Sequence, residues 1–523
     1  MIPPRPGFLA FARNDILIAV RAQLLEVIEK HWGYSSFRPL QEQAMASVLE
    51  GRDSVVVMPT GGGKSLCYQV PALLRDGVTV VVSPLISLMK DQVDALRACG
   101  VSAAQMNSSQ SSLELRALDK DLQEQKIRLL FVSPERLALP GFRKSLREAG
   151  VNAFAIDEAH CISHWGHDFR PEYRQLRALR ETFPEAAFHA YTATATEQVR
   201  RDIAQQLELR NPLVLIGDFD RPNLTYRVLP RVDELKQLVE VLERHRGEAG
   251  IVYCTRRRDV DSLSEQLRKR GYDALAYHAG MPQDERRRTQ EAFAAERCDV
   301  VVATVAFGMG IDRSNVRFVV HMAMPKSIEH YQQETGRAGR DGLEAECVLF
   351  YSGADIVLWK TMLARGGEDI DPDPRYLQAA TRHLNDMDRY CSGTVCRHRA
   401  LVEYFGQTHG GACNACDVCL GEMQEVADPL TVAQKIVSCV YRLRSSFGVG
   451  HVISVLRGEN IERVRDRNHD QLSTYGIMRE HSRIELRDLI YPLVSQGLLQ
   501  QTGDEDPVLT LTEASRAVLR GEA

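Results

Sequence analysis

The chain has no apolar run approaching the ~20 residues that cross a bilayer, which excludes a helical membrane span. Its first stretch, Met1 to Val20, is partly apolar but broken by Arg13 and Asp15, and it lacks the layout of a signal peptide. There is no excess of basic charge either. The 65 Lys and Arg stand against 70 Asp and Glu, for a formal net charge of -5. Binding of nucleic acid through overall charge is therefore excluded, and any such contact must come from local patches. The 12 cysteines are scattered through predicted strands and helices, which points to a reducing interior and a cytoplasmic location. What remains is the composition of an ordinary globular protein, 44% hydrophobic and 26% charged, at a length of 523 residues that predicts three to four domains.

Chemistry is concentrated in three places. The segment Ile156-Asp-Glu-Ala-His-Cys-Ile-Ser-His-Trp-Gly-His-Asp-Phe-Arg-Pro-Glu-Tyr173 begins at the end of an apolar run, Val151 to Ile156, that reads as a buried parallel strand. Asp157 and Glu158 fall at its carboxyl end, where open α/β sheets bind ligands. One carboxylate suits a Mg²⁺ ion and the next an attacking water. Capping acids and a buried Trp would explain the segment taken alone. Upstream, Met58-Pro-Thr-Gly-Gly-Gly-Lys-Ser65 follows another apolar strand. Gly61, Gly62 and Gly63 let backbone N–H groups face phosphate oxygens, Lys64 adds charge, and Ser65 offers a hydroxyl to Mg²⁺. The strict P-loop pattern places Gly where this chain has Met58. A helix is predicted to start at Lys64. Downstream, Arg337 and Arg340 lie three apart, on one side of a predicted helical turn, flanked by Gly336 and Gly339. A surface ion pair would explain them, but Arg from a second domain is the usual stabiliser of a transferring phosphoryl group.

With these motifs on the page, the chain resembles a superfamily 2 helicase and, more narrowly, the RecQ family of DNA helicases. The resemblance spans about residues 32 to 523. It is carried by Phe37-Arg-Pro-Leu-Gln41, Thr60 to Gln69, Ser83 to Gln92, the Asp157-Glu-Ala-His160 segment with its aromatic loop, Tyr191-Thr-Ala-Thr-Ala-Thr196 and Ala303 to Asp312. It implies ATP and Mg²⁺ as ligands, single-stranded and partly duplex DNA as substrate, and 3′ to 5′ movement. Adenine binding falls on Tyr34, Arg38 and Gln41, with Thr60 in the phosphate loop and Gly310 and Asp312 near the nucleotide. Coupling of hydrolysis to DNA falls on His160, Trp165, Phe169, Arg170, Thr192 and Thr194. His278, Gly280 and Thr304 match positions on the DNA path.

The expected fold is α/β, with two RecA-like doubly wound lobes at 32–215 and 216–352 after an N-terminal extension, 1–31. Predicted strands are Ser54–Met58, Val78–Ser83, Leu129–Ser133, Val151–Ile156 and Phe188–Tyr191, then Gly250–Cys254, Ala274–Tyr277, Asp299–Ala303, Phe318–His321 and Glu346–Phe350. A helical zinc module is expected at 353–425. Cys413, Cys416 and Cys419, with two residues between each and the next, suit one tetrahedral Zn²⁺. Cys391, His398 and His409 compete with Cys396 for the fourth place, and the resemblance selects Cys396. Residues 426–523 read as a winged helix: three helices, then a hairpin of Leu498–Gln501 and Val508–Thr512. Arg442, Arg444, Arg457, Arg463, Arg465 and Arg467 make it locally basic. Its wing tip, Thr502 to Pro507, is acidic and lacks an aromatic wedge, and an end at Ala523 leaves no room for the HRDC domain of many relatives. A single-strand DNA-binding protein is an expected partner of this domain. The expected function is ATP-dependent unwinding in repair, recombination and fork maintenance. The alternative is a DNA-stimulated ATPase that remodels DNA complexes without unwinding; a non-enzymatic regulator is disfavoured by the intact ATPase residues.

Overall fold

A computed structural model describes residues 6–107, 110–308, 313–364, 374–423, 426–502 and 508–522, with side chains from residue 19 onward except those of 364 and 495. Gly310, Asp312 and the wing-tip residues 503–507 lie outside the described residues.

The first lobe is a seven-stranded sheet. Its strands are β1 (Ser54–Val57), β2 (Val78–Val82), β3 (Ala103–Met106), β4 (Leu129–Val132), β5 (Val151–Ile156), β6 (Ala187–Thr192) and β7 (Leu213–Ile216). All pairings are parallel, in the order β3-β4-β2-β5-β6-β1-β7. The second lobe pairs six strands in the order β10-β11-β9-β12-β13-β8, again parallel: β8 (Leu224–Pro230), β9 (Ala249–Tyr253), β10 (Ala274–Tyr277), β11 (Val300–Ala303), β12 (Val316–His321) and β13 (Ala345–Tyr351). Inner strands such as β1, β2 and β4 are buried along their whole length, because helices cover both faces of a parallel sheet.

The predicted strands are all present, with ends moved by a residue or two. Three more were not predicted, β3, β7 and β8, and all three are edge strands. In β3 and β8 partly exposed positions weaken the apolar signal, whereas β7, Leu-Val-Leu-Ile, is apolar throughout. β3 reads Ala-Ala-Gln-Met, and β8 alternates buried Leu224, Tyr226 and Val228 with half-buried Thr225 and Arg227. The helix expected at Lys64 starts at Leu66 with Ser65 as its cap. Gly61 and Gly63, at φ +83° and +77°, keep the preceding chain as a loop.

One continuous core joins both lobes to the helices that follow them, Pro374–Ser392 and Arg397–Tyr404, through Leu384, Met387, Leu401 and Phe405. The C-terminal domain has its own core, in which Ile436, Val452, Ile490 and Leu509 meet. It consists of the main helices Pro429–Arg442, Val449–Arg457 and Arg483–Ser495, the antiparallel hairpin β14 (Leu499–Thr502) and β15 (Val508–Leu511), and a last helix, Glu513–Arg520. The long first helix, Pro6–Trp32, packs Leu24 and Ile28 against Met45 and Val70 of the first lobe. No described helix is long and apolar enough to cross a membrane.

Candidate nucleotide cleft and metal centre

In the first lobe the phosphate loop leaves β1, Asp157 leaves β5, and Thr192 to Thr194 leave β6, which lies between them. The three motifs therefore meet at the carboxyl edge of the sheet for topological reasons. Lys64 Nζ is folded into its own loop, donating to Met58 O at 2.9 Å and Pro59 O at 3.4 Å. Burial lowers its pKa, opposed by the charges of Glu158 and Asp157.

Asp157 and Glu158 lie side by side, each half-buried. Burial raises the carboxyl pKa of both, and for Asp157 the neighbouring Glu158 raises it further. Glu158 holds a left-handed backbone, φ 48°, a strained conformation of the kind found at functional sites. Its Oε2 is buried and makes no hydrogen bond among the described residues. His160 Nδ1 stands 3.3 Å from it but has a closer partner in Thr192 Oγ1, at 2.9 Å. Two adjacent acids that burial disfavours as anions, one with a bare oxygen, are a donor set that a divalent cation and its water shell would relieve. The residues fit Mg²⁺.

The cleft is completed by the second lobe. The helix Ile328–Thr335 ends at Gly336, and the chain continues in turns. Arg337 and Arg340 are thus not on a helical face, as their spacing predicted. The helix has already ended, and Gly339 at φ +57° turns the chain between the two side chains, which go to different targets. Arg337 donates to Gly308 O and lowers the Glu158 pKa by its charge. Arg340 lies against the phosphate loop: a Cβ added at Gly61 would sit 3.7 Å from its Cγ. Likewise a Cβ at Gly336 would sit 3.4 Å from Thr60 Cβ.

Of the expected adenine residues, Tyr34 is 52% exposed and open to stacking. Arg38 and Gln41 behave differently. Arg38 donates to Gly61 O, while Gln41 accepts from Arg38 N at 2.8 Å and donates to Gly63 O at 3.1 Å. These two side chains brace the phosphate loop, with Gln41 using both ends of its amide.

The aromatic segment is wired to both lobes. Arg170 donates to Pro84 O at 3.0 Å and pairs with Asp168. Phe169 packs on His164, with ring centroids 4.0 Å apart. Thr192 Oγ1 donates to Thr194 O at 3.1 Å, so it accepts from His160, which burial keeps neutral with a pKa of about 4. His160 stacks on His167 at 4.1 Å, and His167 meets His330 of the second lobe edge-on at 4.7 Å. Gln333 reaches Thr194 Oγ1 at 3.5 Å, and Trp165 O accepts from His383 at 3.1 Å. His330, Gln333 and His383 were not singled out from the sequence. Gln333 lies in the stretch that carries Arg337 and Arg340, His330 and His383 lie in no motif, and only the packing of the lobes reveals the contacts of all three.

Cys396, Cys413, Cys416 and Cys419 bring their sulfurs within 4.8 Å of one another. Two backbone N–H groups already point at sulfur, Ala415 N to Cys413 Sγ at 3.3 Å and Cys419 N to Cys416 Sγ at 3.4 Å. Four sulfurs at this spacing fit a tetrahedral Zn²⁺ with no open position. The competing residues are engaged elsewhere. Cys391 is buried in a helix, and His398 and His409 both face Asp220, at 2.6 and 3.5 Å. The loop also extends the second sheet, since Tyr226 N donates to Ala415 O and Asp417 N to Tyr226 O. It thereby covers the free edge of β8.

Comparison with known proteins agrees with this architecture. Residues 38–202 match the DEAD/DEAH box helicase family, 231–342 the helicase conserved C-terminal domain, 353–420 the RecQ zinc-binding family and 423–523 the RQC domain. The chain is 45% identical over 507 residues to the ATP-dependent DNA helicase RecQ of Pasteurella multocida (strain Pm70), covering 97% of this chain and 79% of that protein. It is 41% identical over 504 residues to the ATP-dependent DNA helicase RecQ of Bacillus subtilis (strain 168), covering 96% and 84%. Two solved structures share the fold. The DUF1998 helicase MrfA bound to DNA has a TM-score of 0.54 at 19% identity, covering 74% of this chain and 59% of that one. Helicase Lhr of Mycobacterium smegmatis, bound to ssDNA and AMP-PNP, has a TM-score of 0.51 at 18% identity, covering 96% and 62%. This chain thus spans less than two thirds of either structure. With two parallel-sheet lobes, a four-cysteine cluster and a C-terminal RQC domain in one order, the chain belongs to the RecQ family of ATP-dependent DNA helicases.

Proposed function

We propose that the cleft hydrolyses ATP by positioning, charge and one proton acceptor, and that DNA bound across the two lobes sets how well it closes. The observation that carries this reading is Arg340 of the second lobe lying against the phosphate loop while the bare carboxylate of Glu158 stands in the same cleft. Lys64 leaves its loop carbonyls for the β and γ phosphates of ATP. Glu158, made more basic by burial, accepts the proton of the attacking water as the bond from the γ phosphorus to the bridging oxygen breaks. Arg340, with Arg337, balances the negative charge on the transferring group. Bound Mg²⁺, held through Ser65 and Asp157, would supply further positive charge at the phosphate oxygens. Tyr34 stacks on adenine, while Arg38 and Gln41 set the shape of the phosphate loop.

Single-stranded DNA is proposed to run along the aromatic segment, with Trp165 and Phe169 as its sensors. The imidazole stack from His160 through His167 to His330 links that segment to the helix that leads into Arg337. Arg442, Arg444, Arg463, Arg465 and Arg467 are exposed on the winged helix, which suits duplex phosphates. The same domain is the proposed contact for a single-strand DNA-binding protein. Movement is proposed to be 3′ to 5′, in repair, recombination and fork maintenance on the cytoplasmic nucleoid.

The test is ATP hydrolysis and strand separation measured together on 3′-tailed and 5′-tailed duplexes with zinc-replete protein. Separation of the 3′-tailed duplex alone is expected. Stimulated hydrolysis without separation of either would make the protein a remodelling translocase instead.

A further inference from the structure

We infer that Arg221 and Asn223, in the linker between the lobes, are positioning residues that hold the arginine turn at its working distance from the phosphate loop. This rests on the reading of Arg337 and Arg340 given above. The carbonyls of Ala338 and Gly339 lie beyond the end of the helix, in the turn that carries both arginines, where Gly339 O also accepts from Gly342 N at 3.1 Å. Here they are taken up by the linker. Arg221 Nη2 donates to Ala338 O at 3.0 Å and to Gly339 O at 2.8 Å. Asn223 Nδ2 donates to Gly339 O at 3.0 Å and to Leu343 O at 2.8 Å. Arg221 Nε in turn donates to Asn223 Oδ1 at 3.3 Å, which fixes the amide's orientation. The contact is close enough to need glycine: a Cβ at Gly339 would come within 2.5 Å of Asn223 Nδ2. Both residues between Arg337 and Arg340 are therefore held by the linker.

The other end of the linker is fastened to the opposite wall of the cleft. Gly217 N donates to Val57 O, the last residue of β1, at 2.7 Å, and a Cβ at Gly217 would lie 3.1 Å from Pro59 of the phosphate loop. The middle is gripped by the zinc module. Gln407 accepts from Phe219 N at 3.0 Å and donates to Gly217 O at 2.9 Å, and Phe405 stacks on Phe219 at 4.3 Å. One short, fully bonded segment thus spans from the phosphate loop to the arginine turn. A misplacement of about 1 Å in such a group can cost on the order of 100-fold in rate. Lysine in place of Arg221 keeps the charge but loses the planar fork that bridges two carbonyls.

The experiment uses the full, zinc-loaded chain with saturating single-stranded DNA, and measures kcat and KM for ATP in Arg221→Lys, Asn223→Ala, Arg340→Ala and the double variant Arg221→Lys/Arg340→Ala. The expected result is a kcat lowered about tenfold or more by Arg221→Lys, with KM within about twofold and zinc content unchanged. The double variant is expected to be slowed by less than the product of the two single effects, because Arg221 acts through that turn and only Arg337 is left on it. Asn223→Ala, a smaller lesion, carries the same test should Arg221→Lys fold poorly. Full kcat in both Arg221→Lys and Asn223→Ala beside a crippled Arg340→Ala overturns the inference and leaves the cleft reading intact. A double variant slowed by the product of the two single effects also overturns it. Near-normal turnover in Arg340→Ala would instead overturn the cleft reading itself.

Discussion

The zinc cluster and the nucleotide cleft both gather groups that need a charged ligand, but from opposite ranges of the chain. Three of the four thiols lie between Cys413 and Cys419, and their sulfurs converge because a short loop leaves them little else to do. The cleft draws on Lys64, Asp157, Glu158 and Arg340, brought together by strand order in one lobe and by docking of the other. The first site is organised around its ion, the second around the fold. Removing the ion should therefore unfold the first, whereas removing a side chain should silence the second without unfolding it.

The largest expected effect tests the cleft. Lys64→Ala and Arg340→Ala should each lower DNA-stimulated kcat by about 10³-fold or more, with thermal midpoints close to the parent's. Steady-state hydrolysis beside a thermal melt checks both halves of that statement, and a large fall in melting temperature would erase the contrast. Next is the metal. Chelation, or Cys416→Ser, should release zinc, lower the thermal midpoint by several degrees and abolish strand separation. A zinc-free protein with an unchanged melt would show that the loop is held by β8 and not by its ion. Trp165→Ala should bring DNA-stimulated hydrolysis about tenfold down toward the DNA-free rate; hydrolysis titrated with single-stranded DNA reads this directly.

The smallest effect concerns the join between the second lobe and the zinc module. Arg227 bridges Glu346 of β13 and Glu422 beyond the cysteines, at 2.9 and 2.7 Å. Burial alone would raise the Glu346 carboxyl, but hydrogen bonds from His245 and Arg244, with Arg227 beside it, hold it at about 2. A lowered pKa stabilises the fold above the ordinary carboxylate range and loses that contribution as pH falls toward about 2. Glu346→Gln should thus cost on the order of 1 kcal/mol at neutral pH, and the difference from the parent should shrink in urea unfolding as pH falls below about 4.5. A constant difference across that range would count against the carboxylate as its source.

Much of this was legible in the residues. The inner strands were readable because burial on both faces leaves mostly apolar residues. The edge strands β3 and β8 were not, because half-exposed positions admit Gln, Thr and Arg, whereas β7, Leu-Val-Leu-Ile, is apolar throughout and was missed for its shortness and not its polarity. The local pattern also placed Arg337 and Arg340 on one helical face, and a left-handed Gly339 undid that. Arg38 and Gln41, expected at adenine, also have side chains that reach the phosphate loop, a contact no local pattern announced.

By itself the sequence determined the chemistry available: an amine and a hydroxyl on a glycine loop, two acids at a strand end, and four thiols for a metal. Those are short-range facts, set by which residues are neighbours along the chain. Only the tertiary structure decided which groups face one another across the lobes: Arg340 against Gly61, His167 against His330, Arg221 on the carbonyls of Ala338 and Gly339. These contacts join segments far apart in the chain. They form because the lobes and the zinc module bury one continuous core, and no local pattern encodes the docking of one folded surface on another.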